Sequence, residues 1–457
     1  MINFQNQKVG VLGLGEENTA VILYLKNKGA KITICDQRGE REALKPYLDK
    51  LNNVSYKLRL GSSYLDNLTD FDIVFRTPGL PYLNPKLQEA KKNGVEVSSQ
   101  TKLFFSLCPS PIIGVTGTKG KGTTASLIYE ILNQKSEIRN QKIFLGGNIG
   151  NAPIEFLEKL TPEDVVVLEL SSFQLQDLDK SPHIAVVLDI KIDHLDYHQD
   201  EKEYVEAKLN IVKHQTKKDF AVICADYLTS FEFAAQTPAK VLWFSRRKSI
   251  DEGVWIKQEK EIILRTEEGD YPIVQTDELV LRGKHNWENV CAGVCASHLA
   301  GADVSSVQKA AKAFRGLEHR LEFVREKDGV SYFNDSFSTT PDTTIAALKS
   351  FREPVVLLLG GSEKNADYSG LAQEISQSSV KTIINIGQTG KKIINLIQGK
   401  KFKIIADIQP MAQAVKNAQG LTQKGDIVLL SPASASFDRY KNYKERGKVF
   451  KKEVLNL

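Results

Sequence analysis

Residues 114–124 read Gly-Val-Thr-Gly-Thr-Lys-Gly-Lys-Gly-Thr-Thr, directly behind the apolar pair Ile112-Ile113. A short buried strand must turn through these glycines into a helix that opens with Lys121, Gly122, Thr123 and Thr124. Glycine lets backbone amides close on a phosphate, and the helix N-terminus adds partial positive charge there. Gly117, Thr118 and Gly120 would line the turn, Lys121 would reach the β- and γ-phosphates, and Thr123 could hold Mg²⁺. A strand–loop–helix unit of this kind belongs to an α/β domain with a parallel sheet, and it predicts a chain that spends ATP.

The loop departs twice from Gly-x-x-x-x-Gly-Lys-[Ser/Thr]. The first glycine would fall at Val115, and Gly122 follows the lysine where a hydroxyl is usual. A generic nucleotidase is therefore not the reading.

At 457 residues the chain has room for about three domains. Alternating strands and helices place them at 1–108, 109–314 and 315–457. The first opens with Lys8–Leu12, Gly13-Leu-Gly15, a helix, then Lys31–Cys35 ending on Asp36, which is a Rossmann-like βαβ unit. Asn18 stands where the third glycine of a dinucleotide fingerprint belongs, and Glu16-Glu17 would repel a pyrophosphate. Both argue against a nicotinamide cofactor. The second domain carries the phosphate loop, strands that end on Glu169 and Asp189, and a β-rich insertion from Val241 to Val274. Ligands of open parallel sheets bind at the carboxyl ends of strands, so Glu169 is a candidate for phosphate or metal. The third is a second Rossmann-like unit with strands at 355–359, 382–386, 402–405 and 427–430.

Hydrophobic residues make up 41% and charged residues 26%, with a net charge of +5, too small and dispersed to point to nucleic acid. No apolar run approaches a membrane span, so a cytoplasmic protein is expected. The five cysteines imply no disulfide framework; Cys291 and Cys295 read as core packing.

Further landmarks follow in order: Gly146-Gly-Asn148-Ile-Gly150, Leu168-Glu-Leu-Ser-Ser-Phe-Gln-Leu175, Asp193-His194, Ala207-Lys208-Leu209 and Gly283-Lys-His-Asn286-Trp-Glu-Asn289. Then come Gly316-Leu-Glu-His-Arg320, Asn334-Asp335-Ser336, Gly360-Gly-Ser-Glu-Lys364 and Ser431-Pro-Ala-Ser-Ala-Ser436. With the Thr-Gly-Thr-x-Gly-Lys-Gly-Thr loop, the chain resembles a Mur ligase from end to end. It looks most like the type that adds glutamate to UDP-N-acetylmuramoyl-L-alanine in peptidoglycan synthesis. The folylpolyglutamate synthases share the loop but lack a nucleotide-sugar domain ahead of it.

The resemblance implies an ATP-dependent amide-forming ligase working through an acyl phosphate, with two Mg²⁺ ions. It places the catalytic and metal-binding groups on Lys121, Thr123, Glu169, His194 and Lys208, with Asn148 beside them on the substrate. From its neighbours alone Lys208 reads as a snorkelling lysine; the resemblance implies that CO₂ carbamylates it and that the new anion supports a metal. Asn286 and Asn289, three apart on one helix, would touch adenine, and Arg320 and Asp335 would close over the nucleotide. Gly15, Asp36, Arg38, Thr77 and Gly79 match the region that holds uridine diphosphate. Thr339, Lys364, Ser436 and Tyr443 would bind glutamate.

One departure bears on the amine: the usual Asp-Ser-Lys stretch reads Asp335-Ser336-Phe337, so L-glutamate or another amino acid is the alternative to D-glutamate. A non-catalytic nucleotide-sugar regulator would not need Lys121, Glu169, His194 and Lys208 together. The resemblance also implies a monomer.

Overall fold

The computed structural model describes residues 3–139, 141–191, 197–362, 366–397, 402–405 and 410–457. The chain forms two compact units, one of Met1–Gln275 with Glu288–Ala311 and the other of Thr276–Trp287 with Lys312–Leu457.

The first unit contains two sheets. One has strands β1 (Lys8–Leu12), β2 (Lys31–Asp36), β3 (Tyr56–Leu60), β4 (Ile73–Arg76) and β5 (Glu96–Ser99). Its order is β3-β2-β1-β4-β5, all parallel, with strands added outward on one side of β1 and then on the other. The carboxyl ends of β1, β2 and β4 bring Gly15, Asp36 and Thr77 to one edge, where an open α/β sheet holds its ligand.

The second sheet comprises β6 (Ile112–Thr116), β7 (Ile143–Gly147), β8 (Val165–Glu169), β9 (Ile184–Val187), β10 (Phe220–Cys224), β11 (Lys240–Ser245), β12 (Gly253–Lys257), β13 (Glu261–Thr266) and β14 (Gly269–Gln275). In space it runs β14-β13-β12-β11-β10-β9-β6-β8-β7. Strands β6 to β12 are parallel, and only β13 and β14 turn back antiparallel. The β-rich insertion read from the sequence is therefore continuous with the central sheet, extending its far edge. The central strands β6, β8 and β9 are buried along their whole length, as strands covered on both faces must be.

The second unit holds β15 (Glu322–Lys327), β16 (Val330–Asn334), β17 (Val355–Leu359), β18 (Val380–Asn385), β19 (Lys403–Ile405) and β20 (Ile427–Leu430). The order is β15-β16-β20-β17-β18-β19, parallel except for β15. Here the structure adds to the sequence reading, which lacked the β15–β16 hairpin and also β3. Strands β3 and β15 lie at sheet edges, partly exposed and rich in charge, so neither shows an apolar run.

Among the described residues, no helix is long and apolar enough to cross a membrane.

A candidate nucleotide and diphosphate site

Strand β6 delivers the phosphate loop, and the helix Lys121–Arg139 follows it. Gly120 sits at φ +87°, and a Cβ there would lie 2.1 Å from Asn289 Oδ1. Only glycine permits both that backbone and that approach. Lys121 Nζ folds back over the loop, donating to the carbonyls of Gly117 at 3.1 Å and Thr118 at 3.0 Å. Thr123 and Thr124 are buried in the first helical turn, and Thr124 Oγ1 has no hydrogen-bond partner.

The neighbouring strand ends complete the cluster. Glu169 closes β8, in register with Val115 of β6 and Gly147 of β7. Gly147 lies at φ +97° with the Glu169 carbonyl so near that a Cβ would meet it at 2.2 Å. That close approach sets Asn148 against Glu169: its amide nitrogen bonds the Glu169 carbonyl at 2.9 Å and its Nδ2 donates to Oε1 at 3.1 Å. Asn148 is thus held beside the proposed metal carboxylate. Glu169 Oε2 is buried with no hydrogen-bond partner among the described residues. A buried carboxylate oxygen left so is costly unless a ligand takes it.

The helix Glu201–Lys213 lies under the loop. Lys208 is buried, and so is not the snorkelling lysine that its neighbours alone suggested. Its Nζ donates to Gly117 O at 3.0 Å and approaches Thr116 Oγ1 at 3.4 Å, and it lies 4.9 Å from the Tyr204 ring centre. Tyr204, one turn earlier, brings its hydroxyl within 2.9 Å of Thr118 Oγ1. His194 lies outside the described residues. Among those residues, no three His, Cys, Asp or Glu side chains stand together as a metal site. The oxygen donors of Glu169 and Thr123 are of the hard kind that suits Mg²⁺.

At the first sheet, Asp36 is buried and spends its carboxylate on shape. It accepts from Leu14 N at 2.7 Å and Arg38 N at 2.9 Å, while Arg38 clamps it through Nε at 2.8 Å and Nη2 at 2.7 Å. Burial would raise its pKa, but the Arg38 guanidinium and the two amides outweigh that and hold it low. The pair fixes the loop Gly13–Gly15. No side chain stands within 4 Å of where Gly15 or Gly79 would carry a Cβ, which leaves room for a ligand.

The acidic pair Glu16-Glu17 does not confront that space as the sequence suggested. Glu16 is engaged by Lys50 at 2.6 Å. The Glu17 carboxyl turns inward to Gln174 Nε2 at 2.8 Å, and burial pushes its pKa up to about 7.

Several residues here escaped the sequence reading. Arg76 is buried and grips Asp177 through Nε at 3.1 Å and Nη2 at 2.8 Å, with further bonds to the carbonyls of Leu80 and Phe173. An arginine ending the apolar run Phe71–Phe75 was the available signal, since such a cation needs a buried partner. His198 is also buried, between Ser172 Oγ and Glu203 Oε2, each at 2.9 Å.

In the second unit the loops after β16, β17 and β20 converge. Asp335 is buried and accepts from Leu321 N at 3.1 Å, Ser338 Oγ at 2.5 Å and Ser431 Oγ at 2.7 Å; burial outweighs these bonds and raises its pKa to about 6. Ser436 Oγ is buried without a hydrogen-bond partner among the described residues. Buried Arg446 bonds Ser336 Oγ and the carbonyls of Ser336, Ser434 and Ala435, tying two of the loops together. Tyr443 opens the helix Tyr443–Leu455, half-buried, and Thr339 is partly exposed. Lys364 lies outside the described residues. Asn286 and Asn289 are both buried in the helix Lys284–Leu299, Asn286 donating to Arg282 O at 2.7 Å.

Three family descriptions match the chain: Mur ligase MurD-like, N-terminal domain over residues 7–99, Mur ligase middle domain over 115–297, and Mur ligase, glutamate ligase domain over 319–434. The UDP-N-acetylmuramoylalanine--D-glutamate ligase of Acetivibrio thermocellus is 41% identical over 99% of this chain and 97% of its own length. The chain belongs to the Mur ligase family. A second Mur ligase, the UDP-N-acetylmuramoylalanine--D-glutamate ligase of Symbiobacterium thermophilum, is 42% identical over 99% of this chain and 98% of its own. The Mur ligase fold also shows in the crystal structure of UDP-N-acetylmuramate-alanine ligase MurC from Thermotoga maritima. That structure superposes with a TM-score of 0.60 at 18% identity, covering 99% of this chain and 100% of its own.

Proposed function

We propose that the protein is the ligase that joins D-glutamate to UDP-N-acetylmuramoyl-L-alanine at the expense of ATP. The observation that carries this reading is the end-to-end similarity, at 41% and 42% identity, to two enzymes named for that reaction. The buried oxygen of Glu169 beside the phosphate loop, without a partner among the described residues, supports it, because it is the kind of group a cation on ATP would satisfy.

A carboxylate does not react with an amine until one of its oxygens becomes a leaving group. Phosphoryl transfer from ATP makes that oxygen part of an acyl phosphate, and the amine then displaces phosphate. The phosphate-loop amides and Lys121 hold the phosphates and offset the charge that develops during transfer. Bound Mg²⁺ would neutralise phosphoryl oxygens, held by Thr123, Glu169 and His194, with a carbamate on Lys208 as support. Buried Lys208, against the phosphate-loop carbonyl of Gly117, is the residue that would carry that modification. Asn148 keeps Glu169 oriented. Gly15, Asp36, Arg38, Thr77 and Gly79 shape the diphosphate site, Asn286, Asn289, Arg320 and Asp335 serve the nucleotide, and Thr339, Lys364, Ser436 and Tyr443 take the amino acid. The reading carries with it a cytoplasmic monomer, which sedimentation of the purified protein tests.

Phosphate release with ATP, Mg²⁺ and UDP-N-acetylmuramoyl-L-alanine is to be measured with D-glutamate and L-glutamate added separately. Turnover with D-glutamate alone is expected. Turnover with L-glutamate alone would favour the second reading, which Phe337 beside Tyr443 motivates, and turnover with neither would exclude both glutamates and point to a different amino acid.

A further inference from the structure

Phe337 does not match the lysine that the resemblance leads one to expect, and its surroundings give it a task of its own. The Arg320 guanidinium carbon lies 3.8 Å from the centre of the Phe337 ring. That is the shortest cation-to-ring distance among the described residues, where the others run from 4.3 Å to 6.0 Å. Tyr443 meets the other side of the arrangement, its ring 5.0 Å from that of Phe337 and at 89° to it. Tyr443 in turn stands edge-on to buried His319 at 6.0 Å.

The backbone around Arg320 is bent to the same end. Both flanking residues take left-handed conformations, His319 at φ +69° and Leu321 at φ +43°. A non-glycine residue held there is strained, so the surrounding structure must enforce it, and such strain gathers at functional sites. Enforcement is visible: Phe337 N donates to His319 O at 3.0 Å, and Leu321 N donates to Asp335 Oδ1 at 3.1 Å. The segment that carries Phe337 therefore grips the segment that carries Arg320 at two points besides the ring.

We infer that Phe337 is a positioning residue that seats Arg320 for binding a phosphoryl anion. A ring stacked on a guanidinium uses the cation's face and not its N–H donors, which lie in the plane. The stack thus sets the plane in which the fork can pair with phosphate oxygens. The aromatic at 337 brings no charge itself; it fixes the charge of a neighbour. This inference rests on the reading of the protein as an ATP-dependent ligase, and its ligand is the polyphosphate of ATP.

The test is titration calorimetry of the full chain with the non-hydrolysable analogue AMP-PNP and Mg²⁺. Phe337→Leu keeps apolar bulk and removes the ring; Phe337→Tyr keeps the ring. The leucine variant should bind about tenfold more weakly and the tyrosine variant within about twofold of the parent, with matching melting temperatures. In steady-state assays the leucine variant should raise the KM for ATP and leave that for D-glutamate within about twofold. Wild-type affinity in Phe337→Leu, equal losses in both variants, or equal rises in both KM values would each overturn the inference. Binding does not need the amino acid, so absence of turnover with D-glutamate would strike the proposed substrate alone, whereas absence of AMP-PNP binding by the parent would strike this inference.

Discussion

Replacing Glu17 by glutamine isolates a titration that the fold places beside the Gly13–Gly15 loop. The Glu17 carboxyl is covered by the 172–177 segment, with Gln174 bonded to it and both Arg76 and Asp177 close enough to act on it. Desolvation is the largest influence, opposed by the Gln174 bond and Arg76 and aided by Asp177, and the pKa rises from 4.5 to about 7. The proton-binding free energy separating those two values is about 3 kcal/mol. Because the folded state keeps its proton to higher pH than the unfolded chain, it binds more protons between 4.5 and about 7, and stability falls as pH rises through that window. Below the window the contribution is complete; above it, about 3 kcal/mol has been lost. Glu17→Gln keeps a polar amide at the site and cannot titrate. Urea denaturation of both proteins from about pH 5 to about pH 8 should show the glutamine variant gaining on the parent with pH, the gap approaching 3 kcal/mol. A gap that does not change with pH would refute the reasoning. Ionised Glu17 also adds negative charge behind the loop, so the parent's KM for the diphosphate substrate should climb over the same window while the variant's stays level.

Removing the charge of Asp177 in Asp177→Asn leaves Arg76 buried without its counter-ion and should cost about 3–5 kcal/mol, whereas Arg76→Met with Asp177→Leu should recover most of it in a double-mutant cycle by urea denaturation. Lys208→Ala should lower turnover on the order of a thousandfold with the circular dichroism spectrum retained, and the parent should carry the mass of one added CO₂ in native mass spectrometry. A fully active alanine variant under depleted bicarbonate would remove the carbamate from the account. Ser436→Ala should raise the KM for D-glutamate about tenfold and leave that for ATP unchanged, since the buried hydroxyl then no longer awaits a ligand; parallel rises would place Ser436 elsewhere.

Features that depend on neighbours in the chain were legible from the residues. Ile112–Thr116 is apolar because β6 is covered on both faces, and the glycines behind it announce a phosphate turn with a helix after it. Strands such as Val355–Leu359 declare themselves by the same rule, and the order of polar strand ends located Glu169 and Asp36. The pairing of distant groups was not legible. Nothing near Arg76 in sequence names Asp177, a hundred residues on, and nothing in Glu16-Glu17 says that one carboxyl meets a lysine while the other is folded inward and holds its proton to higher pH. Phe337 reads along the chain as the loss of a cation; folded, it is the seat of one. Burial, desolvation and stacking are set by which surfaces close on one another. The sequence alone therefore determined many of the buried strands, the phosphate loop and the residue types available for chemistry. Tertiary structure alone decided which of those residues are charged, which are satisfied by partners, and which are left with an unmet bond for a ligand to fill.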